Sequence, residues 1–526
     1  MVDISEAAVG IEFGSTNIKA VLVSNAGDIL AEGKHGWENS FQNGIWTYPE
    51  EEIIAGLQDC FRSLKEDAES RYGTPLKKVK AIGISGMMHG LLAFDREWKL
   101  LTPFRTWKNN NAEKAARELS ELFRFNIPAR YSIAHLYQTM IDREDFVPRI
   151  AHITTLSGYI HFLLTGRNVL GIGEASGIFP IDQKTRTYRK DFVELFDEIL
   201  EKNGLPFRLL DILPSALLAG EEGGRLSEKG ARLLDPEGDL VPGIPLCPPE
   251  GDAGTGMVAT GSVKKRTGNI SAGTSVFGMA VLEKDLSKAY PEIDVVTTPL
   301  GDPVAMVHCN NCAGEIDRWM GLFEEYNRLF GIEIPKDELY AKLFRCSLTG
   351  EKDCGGVLSY NYLSGENIAR VKNGHPMLVR KTNGKLSLAN LIRSELYSSV
   401  AGLRIGFEIL EKEENVKIDS LFAQGGIFRT EGVMQEYLAA ALNVPVSLRE
   451  NASSGGPWGM ALLAHSLFEK ENGGLLPYLD NKISRGKKVV TVAPDPETAR
   501  GFEKYAELYR QGLELERKAS DIWEEK

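Results

Sequence analysis

The sequence predicts an α/β protein of two domains that clamp one ligand between them. Three observations lead there. First, 526 residues are too many for one ordinary core. Second, a short apolar run, a small hydroxyl-bearing turn and a second apolar run occur at Gly10–Ile–Glu–Phe–Gly–Ser–Thr–Asn–Ile–Lys19. The device returns about halfway along, at Gly268–Asn–Ile–Ser–Ala–Gly–Thr–Ser–Val276. Third, the same succession of β-meander, helix, strand and helix follows each copy, which suggests an internal duplication.

In the first half, Ala8–Phe13, Ile18–Ser24 and Ile29–Glu32 read as a meander, with Asn25–Asp28 as a turn. Pro49–Glu69 reads as an amphipathic helix. A proline stands near its start, acids fill its first turn, and Ile53, Leu57, Phe61 and Leu64 share a face. Val79–Ser85 is a buried strand by its apolar run, Gly86–Gly90 leaves it and Leu91–Phe94 returns. In the second half, Asn269–Ser271 and Val276–Leu282 form a hairpin. Helices follow at Asp317–Phe330 and Ala389–Glu411, then a strand at Leu421–Ala423 opening onto Gln424–Gly–Gly426. Val433–Leu442 is a helix, Pro445–Leu448 a strand, Trp458–Phe468 an amphipathic helix and Ala499–Lys526 a charged surface helix. The Gly, Ser and Lys–Lys–Arg run at Thr260–Arg266 marks the expected boundary, giving domains of 1–259 and 260–526.

Apolar content of 43% and charged content of 25% are those of a globular soluble chain. A net charge of −12 argues against non-specific affinity for nucleic acid or an anionic membrane. No apolar run approaches the ~20 residues of a membrane span, and Met1–Glu6 lacks the pattern of a secretory signal. Six scattered cysteines point to a reducing cytoplasm, and the lone Cys309–Asn–Asn–Cys312 to reduced thiols near a strand end. A homodimer is the default association of a soluble enzyme.

The Gly–Ser/Thr turns aim backbone N–H groups and hydroxyls at one point, which suits a polyphosphate. Gly14, Ser15, Thr16, Asn17 and Lys19 form one candidate phosphate site, and Gly273, Thr274 and Ser275 the other. Glu12 interrupts an apolar strand, where a carboxylate is costly without a cation or donors; it is either a magnesium-orienting group or a solvated strand-edge acid. Asp252, between glycines in Pro248–Pro–Glu–Gly–Asp–Ala–Gly–Thr–Gly256, reads either as a helix N-cap or as a general base that also faces the metal. Met88 and His89 end a buried strand, where His89 can hydrogen-bond a polyol or ketose or serve structure alone. Trp107, Lys108 and Asn109 place an indole beside amide and ammonium groups, as a polar loop or a sugar-binding surface. Gly425 and Gly426 offer bare backbone to a nucleotide base. Dinucleotide and P-loop fingerprints are missing from the strand-to-helix turns.

These motifs, in this order, resemble the FGGY carbohydrate kinases of the actin-like ATPase superfamily over nearly the whole chain. Glu12–Phe–Gly–Ser–Thr–Asn resembles their first phosphate motif, Met88–His–Gly90 the sugar contact of the ketopentose kinases, and Trp107–Lys–Asn the substrate loop. Tyr159–Gly166, Glu174–Gly177 and Tyr362–Glu366 are similar to other shared segments. Gly251–Asp252 falls where the catalytic aspartate is expected, Gly273–Ser275 matches the second phosphate motif and Gly425–Gly426 the adenosine motif. The resemblance implies two ribonuclease-H-like domains with ATP and Mg²⁺ in the cleft. It also implies transfer of the γ-phosphate to a terminal hydroxyl of a small sugar, with domain closure. Three positions depart: Glu12 replaces an aspartate, Gln424 a glycine, and Asn109 the aspartate of many xylulokinases. The Trp107–Lys108 start is nearer the ribulokinases, and His135 and Tyr137 stand where the family's usual Lys and Trp are missing. The expectation is an ATP-dependent ketopentose kinase acting on L-ribulose or D-xylulose. The alternatives are a kinase for another polyol or sugar acid, and a non-kinase actin-like ATPase.

Overall fold

The computed structural model describes residues 3–449, 455–485 and 488–523. The first lobe is built on β1 (Ala8–Phe13), β2 (Asn17–Val23) and β3 (Ile29–Gly36), an antiparallel meander. A small hairpin of β4 (Ser40–Gln42) and β5 (Ile45–Thr47) follows, then α1 (Glu50–Tyr72) and β6 (Ala81–Gly86). β6 pairs parallel to β1, so β1 is central. Being central, it is apolar at every position but Glu12. The predicted stripe Ile53, Leu57, Phe61 and Leu64 is buried as α1 lies over β3 and β2. Gly33 permits this, because a Cβ there would run into the Cys60 carbonyl.

The second lobe repeats the order. Thr267–Ala272 and Val276–Val281 form an antiparallel hairpin; Pro303–Cys309 extends it on one side and Ser420–Gln424 pairs parallel on the other. Antiparallel, antiparallel, parallel is the order β3–β2–β1–β6, as duplication predicts. The α/β class and the two mixed sheets agree with the expectation. Cys309 ends its strand, and the six cysteines are free.

Two expectations need correction. The C-terminal helix, Pro496–Ile522, is no mere surface element: Phe502, Tyr505, Tyr509 and Leu513 are buried in the second core, with the Tyr509 hydroxyl donating to that of Tyr362 at 2.7 Å. Residues 524–526 of that expected helix lie outside the described residues. The expected amphipathic helix runs Gly455–Ser466 and is apolar nearly all round, because it packs on β1 and β6 on one side and on the helix Asp252–Thr260 on the other. Glycines make that fit: Gly10 on β1 lies against the Pro457 carbonyl and Gly459 against that of Thr255. The segment beyond 260 therefore supplies a layer of the first lobe. His465 Nε2 and the Trp458 indole N–H reach the carbonyls of Val23 and Gly27.

Candidate active site

The site begins where β1 gives way to the first turn. Gly14 N–H closes the turn on the Asn17 carbonyl at 3.0 Å. Two side chains missed by the sequence reading hold it from behind. The Trp37 indole N–H donates to the Gly14 carbonyl and the Tyr48 hydroxyl to the Ser15 carbonyl, both at 2.7 Å, and the rings stack at 4.2 Å. The Trp37 backbone N–H takes the Thr16 carbonyl as well, at 3.2 Å, so the carbonyls of Gly14, Ser15 and Thr16 are all bound within the protein, and the Thr16 hydroxyl accepts from the Asn17 side chain at 2.9 Å. Lys19 stands opposite Glu12 in the β1–β2 register.

Glu12 faces the same place. Among the described residues its carboxylate has no hydrogen-bond partner. Its pKa is pushed up to about 7, first by desolvation and then by the charge of Asp252, against the pull of Lys19. It lies against Gly456, where a Cβ would overlap its Oε1. A carboxylate held near another one and short of donors fits a divalent cation held through water. Glu12 and Asp252 are the residues that would hold it.

Asp252 is the first helical residue of Asp252–Thr260, and the N-cap position belongs to Gly251. Its Oδ1 accepts from Ala253 N–H at 3.0 Å and from Met88 N–H at 3.4 Å, the latter tying it to the Met–His–Gly strand end. The side chain opens to the cleft, yet the enclosing walls raise its pKa by desolvation, against those two N–H donors. Beneath it, the buried Glu250 carboxylate accepts from the N–H groups of Gly173, Glu174 and Gly251, and burial raises it to about 7. Its only clue in sequence was an acid two residues before Asp252.

Met88 and His89 line the adjoining floor. His89 adopts φ 70°, stacks on Tyr131 at 4.7 Å, and has Nδ1 3.3 Å from the Gly177 carbonyl. Burial and the Arg130 guanidinium hold its pKa well below the usual value. The ring is thus neutral, Nδ1–H donates, and Nε2 remains as an acceptor. Arg130, also missed, pairs with Asp294 of the second lobe, and Tyr131 OH donates to the Val295 carbonyl at 3.0 Å. The floor of the site is therefore tied across the cleft.

Trp107 is 40% exposed. Lys108 Nζ sits 4.0 Å above the Trp46 ring. Asn109, expected at the sugar, is 6% exposed with its carboxamide bonded to the protein backbone. It has no free amide to offer a ligand.

In the second lobe, Gly273 N–H closes the turn on the Ser275 carbonyl at 2.8 Å. Cys312 N–H and Ala313 N–H bind the Thr274 and Gly273 carbonyls at 2.9 and 3.1 Å, the same device of backing the turn from behind. Gly425, at φ 126°, lies against the Ala272 carbonyl, so Gly425 and Gly426 adjoin this turn. A Cβ on Gly455 would lie 3.5 Å from Gln424 Oε1, while Gly456 touches Glu12. That helix start joins the second-lobe strand end to the first-lobe carboxylate.

Paired turns on duplicated sheets, with carboxylates between, define an actin-like ATPase fold. Residues 7–234 match the model of the FGGY family of carbohydrate kinases, N-terminal domain, and residues 268–467 that of the C-terminal domain. The chain belongs to the FGGY family of carbohydrate kinases and is an ATP-dependent sugar kinase. It is 22% identical over 524 residues to xylulose kinase of Klebsiella pneumoniae, covering 95% of this chain and 99% of that one. The fold is similar to ligand-bound xylulose kinase from Lactobacillus acidophilus (TM-score 0.77, 17% identity, 97% and 98% coverage). It is equally similar to gluconate kinase from the same organism (TM-score 0.77, 16% identity, 98% and 99% coverage). Among the described residues, no helix is long and apolar enough to cross a membrane.

Proposed function

We propose that the acceptor is a ketopentose, L-ribulose or D-xylulose, phosphorylated in the cytoplasm at a terminal hydroxyl. The reading is supported by the Met88–His–Gly90 segment, similar to the sugar contact of the ketopentose kinases, whose Met88 N–H donates to Asp252 Oδ1 and whose His89 ring is neutral. Asp252 takes the proton of the hydroxyl whose oxygen bonds the γ-phosphorus, as the bond from that phosphorus to the ADP oxygen breaks. Gly14–Asn17 with Lys19, and Gly273–Ser275, bind phosphate oxygens from opposite lobes; Gly425 and Gly426 border the adenosine. Met88, His89, Trp107 and Lys108 surround the sugar. Magnesium held near Glu12 and Asp252 would supply neutralising charge for the phosphoryl oxygens. In this division of labour, 1–259 carries the sugar site and base, and 260–526 the second turn and adenosine site.

Sugar-dependent ADP release over L-ribulose, D-xylulose, D-ribulose, gluconate and glycerol tests the assignment. Turnover largest with a ketopentose supports it; turnover largest with gluconate moves the chain to sugar acids. That second reading is favoured by the likeness to gluconate kinase and by the Arg130 guanidinium near His89.

The association proposed is a homodimer through the helix Gly314–Leu329. Leu322, Tyr326, Leu329 and Phe330 form an exposed apolar stripe there. Light scattering should give twice the chain mass, reduced to one by Leu329→Glu; a wild-type monomer at tens of micromolar would rule this out.

A further inference from the structure

We propose that Asn109 is a positioning residue that sets the sugar loop in register with the first phosphate turn by clamping the Trp46 backbone. The inference rests on the kinase reading above. Asn109 Oδ1 accepts from Trp46 N–H at 2.8 Å, and its Nδ2 donates to the Trp46 carbonyl at 2.8 Å and the Thr106 carbonyl at 3.0 Å. The carboxamide thus pairs with Trp46 as one strand's peptide pairs with another's. The Thr106 hydroxyl and N–H converge on the same Trp46 carbonyl at 3.1 and 3.2 Å.

From Trp46 the path runs both ways. Two residues on, Tyr48 grips the Ser15 carbonyl and stacks on Trp37, which grips that of Gly14. The hairpin β4–β5 hangs between these two anchors, so its register and the turn's are one. In the other direction, Leu91 and Arg105 exchange backbone hydrogen bonds at 2.8 and 3.1 Å. Gly90 lies against the Arg105 carbonyl, where a side chain would not fit. The loop that carries Asn109 is therefore fastened to the Met–His–Gly segment as well. Lys108 above the Trp46 ring completes the lock. Every link but the Lys108 contact is made by buried or part-buried groups, so moving Trp46 shifts a phosphate-turn carbonyl and the sugar loop together.

Asp and Leu at position 109 test the idea separately. Asp keeps the acceptor for Trp46 N–H but, when ionised, sets negative oxygen against the Trp46 and Thr106 carbonyls; protonated, it regains a donor. Leu keeps the bulk and makes neither bond. The first readout is ADP affinity by calorimetry without sugar. Asn109→Leu should weaken it about fivefold, the equivalent of one hydrogen bond's worth of positioning. The second is kcat/KM for the sugar relative to wild type. Asn109→Asp should be at least about tenfold down at pH 8 and recover toward pH 5.5, while Asn109→Leu should be down at both. A raised sugar KM with unchanged ADP affinity and no pH recovery would make Asn109 a direct sugar contact and overturn the proposal. So would wild-type behaviour of both variants. If no sugar in the panel supports turnover, the acceptor assignment fails, and ADP affinity alone still decides the role of Asn109.

Discussion

Replacing Glu12 by Gln should stabilise the nucleotide- and metal-free protein at pH 8 while damaging its function. In the folded chain the Glu12 carboxyl is lifted from 4.5 to about 7, chiefly by desolvation and then by the Asp252 charge. At about 1.4 kcal/mol per pH unit, this corresponds to about 3 kcal/mol as an upper bound, reduced by solvent reaching the cleft. The sign follows from linkage. Below the unfolded value both states hold the proton and nothing is lost. Between 4.5 and about 7 the unfolded chain ionises first, so stability falls as pH rises. Above 7 the full penalty remains. Gln carries no charge and escapes it. Calorimetry of the free protein should therefore find the variant melting several degrees above wild type at pH 8, at about 2–4 °C per kcal/mol for a lobe of this size. The difference should close toward pH 5. Adding magnesium and nucleotide should reverse the order, because binding stabilises the wild type and not the variant. A difference independent of pH, or a variant that melts lower than wild type at pH 8, would show that Glu12 carries no desolvated charge.

Asp252→Asn should lower kcat by about 10²–10⁴-fold while ADP affinity holds within about twofold; equal losses of both would remove Asp252 from the proton transfer. Because desolvation raises the Asp252 pKa, wild-type kcat should fall as pH drops, starting above the ordinary carboxylate range; a flat acid limb would contradict a carboxylate base. Gly456→Ala drives a methyl into Glu12 Oε1 and should impair magnesium-dependent turnover at least about tenfold; unchanged magnesium dependence would separate this helix start from the metal. Trp37→Phe removes the N–H that holds the Gly14 carbonyl, about 1 kcal/mol, and should weaken ATP binding about fivefold with sugar KM less affected; titration with nucleotide measures it.

The hairpins at the two turns were legible because their signals are local. Apolar runs of strand length flank small turn residues, and the duplication doubles the signal. The helix Gly455–Ser466 was found but misread, since a helix buried on nearly all sides has no polar face from which to infer an orientation. The C-terminal helix erred the other way: its charges hid an aromatic stripe whose burial depends on Tyr362, almost 150 residues earlier in the chain. Trp37, Tyr48 and Arg130 escaped notice for a related reason. Each acts through one long-range partner, a carbonyl of the turn or an aspartate of the other lobe, and neither leaves a pattern around the residue itself. The backbone partners of Asn109 were not legible, because its loop composition suits a ligand as well as a peptide.

The arrangement of charge explains why both lobes are needed. The chain is acidic overall; Glu12 and Asp252 stand at the cleft, and Glu174 and Glu250 lie buried beneath it. A polyphosphate entering such a place is repelled unless donors and cations outweigh the acids. Lys19 and the turn N–H groups offer help from the first lobe, and the Gly273–Ser275 turn from the second. Desolvation raises the pKa of all four carboxylates, and three backbone N–H groups hold the buried Glu250. Glu12 and Asp252 are the two of the four that reach the cleft, with Glu174 and Glu250 buried behind them. The donors of both turns and Lys19 therefore have two nearby carboxylates to outweigh directly, and desolvation lightens that burden by raising the pKa of both.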